Sequence, residues 1–159
     1  MNKIQLDNKS VCTFSPLLIG LIAPSLVLFA VQVFVGDIAP LPAIVDILNK
    51  QFASGDNLFL LTLIGLTPFI ILSVILNGHF KNQNANIKKE YTLCISGLIG
   101  ILALMVPLHV SVWYPLYGPG EMSSTSVIAF MFIPFFCIVP MAIGLLIGSL
   151  ISKGFIKSG

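Results

Sequence analysis

Residues 91–120 read YTLCISGLIGILALMVPLHVSVWYPLYGPG, thirty positions without a Lys, Arg, Asp or Glu. A helix of about 20 apolar residues crosses the hydrocarbon core of a bilayer. A charge at its centre would cost roughly 2.5–3.5 kcal/mol on insertion. The stretch therefore predicts a transmembrane helix, placed near 92–113. Three further stretches, Ser10–Gly36, Asn57–Phe80 and Met122–Ser152, are equally free of charge. They predict spans near 16–36, 58–77 and 126–151.

The charges that separate these stretches are few, eight Lys and six acids among 159 residues, with no Arg. That is 9% of the chain, against about 25% in a soluble domain, so a water-facing surface is excluded. A net charge of +2 with no basic cluster predicts no nucleic-acid partner. The fold class is all-α: a polytopic membrane protein with four transmembrane helices in an up-down bundle, forming a single domain over 1–159. The first apolar stretch exceeds a signal-peptide core and has no convincing cleavage site after it, so it reads as a retained span.

Orientation follows from lysine. Lys3, Lys9, Lys81, Lys88, Lys89, Lys153 and Lys157 fall on one side with Asp7 and Glu90. Lys50 alone falls on the other, with Asp37, Asp46, Asp56 and Glu121. The positive-inside rule places both termini and the 78–90 connection in the cytoplasm, as in a bacterial inner membrane. In the first outer connection Leu41, Ile44, Val45, Leu48 and Phe52 share one helical face, with Asp46, Asn49 and Lys50 opposite. This predicts a short amphipathic helix near 42–52, lying on the outer surface or folding back over the bundle. Trp113, Tyr114 and Tyr117 read as an interfacial aromatic belt. Ser123–Ser126 offer N-caps for the last span.

Chemistry is sparse. Cys12, Cys94 and Cys137 form no C-x-x-C pair and none reaches the outer side, so disulfide exchange lacks its parts. His79 and His109 sit at opposite ends of their spans, roughly 25 Å apart at 1.5 Å per residue, and cannot share a metal or haem. No cofactor is expected. The expected spans hold no carboxylate, which removes the usual proton-coupling group. One candidate outer site remains: His109 with Glu121, Ser123, Asp46 and Trp113.

Within the spans, Pro24, Pro68, Pro107, Pro134 and Pro140 each free a carbonyl that needs a neighbour in lipid. Gln32, Thr62, Thr67, Ser73, Ser96 and Ser111 read as groups that bond between helices. Gly144, Gly148 and Ser152 recur every four residues, a spacing that admits a close helix, within the bundle or from a partner. Phe130, Phe132, Phe135 and Phe136 cannot all point inward, so some face lipid or a partner.

The function expected is non-enzymatic. The chain binds a membrane partner or a second copy through helix faces or its outer surface, as an accessory subunit or an immunity-type protein against a membrane-inserted toxin would. An oligomeric transporter, flippase or channel subunit for a neutral or lipidic substrate is the alternative. A membrane enzyme using His109 and Glu121 is the third reading.

Overall fold

The structure, a computed structural model, describes residues 3–52, 57–80, 87–119 and 125–157. Among the described residues seven helical segments follow one another: α1 (Lys3–Phe34), α2 (Pro40–Phe52), α3 (Asn57–Gly65), α4 (Thr67–Phe80), α5 (Ile87–Tyr117), α6 (Thr125–Phe136) and α7 (Ile138–Lys157). Four stretches are long and apolar enough to cross a membrane: Ser10–Phe34, Leu60–His79, Lys88–Tyr117 and Phe130–Lys153. The chain is thus an all-helical polytopic membrane protein of four spans, with α3–α4 and α6–α7 each contributing one span.

The helices overrun the stretches read from sequence because proline does not end them. Helix α1 starts at Lys3 rather than near Pro16, and Pro16 and Pro24 lie inside it. A proline deprives the carbonyl four residues earlier of its partner. For Pro16 that carbonyl is Cys12's, and the Cys94 thiol of α5 approaches it at 3.8 Å. For Pro68 it is Ile64's, and the Thr67 hydroxyl donates to it at 2.7 Å. Helix α5 likewise runs through Pro107 and Pro115 to Tyr117.

Helix α1 ends in a left-handed turn at Asp37. Ile38 N–H reaches back to the Gln32 carbonyl at 3.0 Å, with Asp37 in the left-handed region at φ 51°. Helix α2 then begins at Pro40, two residues before the expected start, with Ala43 N–H bonded to the Ala39 carbonyl. Pro40 and Pro42 both occupy its first turn, where no amide hydrogen is needed.

Helix α5 is the axis. Helices α1 and α4 pack on one side of it, α7 on another, and α1 and α7 do not pack on each other among the described residues. The α5–α7 seam is the closest. A β-carbon at Gly144 would meet the Ser96 carbonyl, one at Gly148 the Ser96 hydroxyl, and one at Gly100 the Pro140 carbonyl. The small-residue strip of α7 is therefore spent inside the bundle. Ser152 is buried and donates to the Ser149 carbonyl of its own helix at 2.8 Å.

Polar groups of the spans mostly turn back on their own helices as well. Thr67, Ser96 and Ser111 donate to carbonyls three or four residues earlier. Gln32 bonds across helices, to Asp46 of α2 and Tyr117 of α5, and the buried Ser73 hydroxyl has no partner.

Candidate functional site

On the α2 side of the bundle, two rows of side chains face each other. Pro24, Leu28 and Gln32 recur every four residues on α1; His109, Trp113 and Tyr117 do so on α5. Among the described residues α1 and α6 do not pack on each other, and α3 packs on α6. The space between α1, α3, α5 and α6 is a cavity of about 40 Å³ lined by Pro24 and Leu28 of the first row, His109 and Trp113 of the second, Thr62 and Gly65 of α3, and Phe130 and Pro134 of α6. That is room for about two or three waters, and too little for a drug-sized ligand.

Trp113 is buried, and tilts against Phe130 with ring centroids 4.8 Å apart. His109 meets the edge of the same Phe130 at 5.6 Å. Its Nδ1 lies 2.9 Å from the Met105 carbonyl; a carbonyl only accepts, so Nδ1 carries the hydrogen. His109 sits two turns, about 12 Å, below Tyr117 and is buried in the bundle rather than at its mouth.

Above the cavity, Gln32 is fully buried. Its Nε2 donates to Asp46 Oδ2 and to the Tyr117 hydroxyl, each at 2.8 Å. Lys50 Nζ also reaches Asp46 Oδ2 at 2.8 Å, four residues along the same helix, a spacing that favours such pairs. Both members of that ion pair are partly exposed, so it adds little alone. The bonds from Gln32 to a carboxylate hold α2 against α1 and α5. Gln32 Oε1 is left without a partner. A buried orphan acceptor costs about 1–3 kcal/mol, which a donor placed there would recover.

Of the expected outer-mouth residues, the structure gathers Asp46 with Gln32 and Tyr117, and places His109 and Trp113 deeper, beside the cavity. Glu121 and Ser123 lie outside the described residues. Pro134 lines the cavity, and Pro140 meets Gly100 at the α5–α7 seam.

Two features at the opposite end escaped the sequence reading. Glu90, assigned to a connection, stands in the first turn of α5, 2% exposed, with Oε2 unpartnered; a carboxylate is thus packed at the end of a span. Cys12 and Cys94, 82 residues apart, meet across α1 and α5, with the Ser15 hydroxyl 3.8 Å from the Cys94 sulfur. Only the α1–α5 pairing brings them together, and no local motif signals it. Among the described residues, no three His, Cys, Asp or Glu side chains converge as a metal site requires. Comparison with protein-family models, with curated proteins and with solved structures gives no match.

Proposed function

We propose that this chain is a non-enzymatic integral membrane protein that acts by holding a membrane partner against the outward face of α6–α7. The observation that carries the reading is aromatic. Phe132, Phe135 and Phe136 are all more than half exposed where α6 passes into α7, with Met131 and Val139 beside them. Phenylalanine and methionine are enriched at protein interfaces. Gly144 and Gly148 of α7 face α5, so a partner meets this aromatic face and not the small-residue strip. An accessory subunit or an immunity-type protein against a membrane-inserted segment fits such a surface. Lysine asymmetry supports a bacterial inner-membrane location with both termini in the cytoplasm.

Purification from native membranes in mild detergent tests this. A stoichiometric partner or a defined oligomer is expected, lost in the triple variant Phe132→Ala, Phe135→Ala, Phe136→Ala while the melting temperature is kept. A monodisperse monomer without a partner, or a triple variant that still holds its partner, overturns the reading.

A second reading, a transporter or channel subunit for a neutral solute, draws on the unpartnered Gln32 Oε1 above the cavity. Flux through reconstituted vesicles that Gln32→Leu abolishes would favour it.

A further inference from the structure

Helix α2 is amphipathic, and its apolar side faces away from the bundle. At 100° per residue Leu41, Ile44, Val45 and Leu48 share one face, and all four are exposed. Ala43 and Ile47 are buried on the opposite side, with Asp46 and Lys50 half-buried beside them. In water this mounting would leave the apolar face unburied. In a bilayer it is the favourable one, with hydrocarbon outside and polar groups satisfied inside.

Between α1 and α2, whose separation the Asp46–Gln32 bond fixes, runs an open groove of about 330 Å³. Its walls include Leu21, Ser25 and Phe29 of α1 and Ile44, Ile47 and Leu48 of α2. Ser25 is the one polar residue of the lining, and its hydroxyl is within 3.2 Å of the Leu21 carbonyl. Water needs two to four polar partners and does not find them here, while an empty groove forfeits dispersion contacts along both walls. The α1 wall lies inside the span Ser10–Phe34, so the groove opens towards lipid.

The volume selects the occupant. A helix with its side chains is about 10–12 Å across with a 5.4 Å pitch, so a single turn already exceeds this space. An extended hydrocarbon chain is far thinner. We propose that the α1–α2 groove is a binding site for one acyl chain of a phospholipid from the leaflet on the α2 side. The proposal does not rest on the α6–α7 partner face, which belongs to a span that does not pack on α1.

The test is native mass spectrometry of the full chain, extracted from phospholipid membranes and exchanged into a lipid-free detergent. Wild type retains one phospholipid. Ser25→Trp, which fills the groove from α1, and Leu48→Trp, which fills it from α2, each weaken lipid affinity about tenfold and so lower the retained fraction, the change expected from losing contact with roughly two methylene groups. Leu146→Trp, on the exposed face of α7, leaves it unchanged, and circular dichroism confirms that each variant is folded. A wild type that keeps no lipid, or equal losses in all three variants, overturns the site. So does a photo-crosslinker on Ile22→Cys that captures a polypeptide instead of a lipid. Each of those results leaves co-purification through α6–α7 to be judged separately.

Discussion

A β-carbon at Gly100 would stand against the Pro140 carbonyl, 2.8 Å from its carbon and 3.1 Å from the Met141 Cα. These are backbone atoms of α7, so they yield only if the whole helix shifts. Gly78, near the end of α4, has nothing within 4 Å of that position. The same substitution therefore has opposite consequences. Gly100→Ala is expected to cost about 1–3 kcal/mol through overpacking. Gly78→Ala is expected to be neutral or to stabilise by up to about 1 kcal/mol through helix propensity. Thermal unfolding of both variants in one detergent measures the difference. Equal melting temperatures would mean that α5 and α7 do not approach as closely as the glycines allow. Sequence showed the four-residue spacing of Gly144 and Gly148 but not its direction, because an inward and an outward strip of small residues look alike until the partner helix is in place.

At the scale of elements, the break between α3 and α4 shows how these spans tolerate proline. Pro68 removes the donor that Ile64's carbonyl would use, and Thr67 supplies its hydroxyl instead. Thr67→Val keeps the shape and removes the donor, leaving an orphan carbonyl in an apolar setting. The expected cost is about 1–3 kcal/mol, seen as a lower melting temperature. Pro68→Ala in the same chain restores an amide hydrogen to Ile64 and should recover most of it; if the double variant melts no higher than Thr67→Val, the hydroxyl is not what satisfies that carbonyl. The prolines were plain in the sequence, and so was the need to satisfy the carbonyls they free. What answered each one was legible only for Thr67, a neighbour in the chain; the Cys94 thiol beside the Cys12 carbonyl comes from another helix. Helix α2 carries the same lesson in another form. Its two faces follow from the order of Leu41, Ile44, Asp46 and Leu48, yet a helical wheel does not say which face meets the bundle. Water turns the apolar side in, lipid turns it out, and here Asp46 is drawn in by Gln32.

Across the whole molecule, charge and burial act together. The seven Lys on the side of the termini contrast with the single Lys50 on the α2 side, and Lys50 is already paired with Asp46. Near an anionic cytoplasmic leaflet each lysine contributes about 1 kcal/mol, so the seven act together and the paired one opposes them weakly. Glu90 does not upset this balance, since acids count little in setting orientation and it is buried beneath the surface. The expected topology has the α2 side outside. Single cysteines placed in a chain lacking Cys12, Cys94 and Cys137 test it at two exposed positions. Ala39→Cys, just before α2, should react with a membrane-impermeant maleimide in intact cells. Lys88→Cys, at the start of α5, should react only after the membrane is opened. The reverse pattern would invert the molecule, place the acyl-chain groove in the cytoplasmic half of the bilayer, and exclude an extracellular toxin segment meeting the chain at its α2 side.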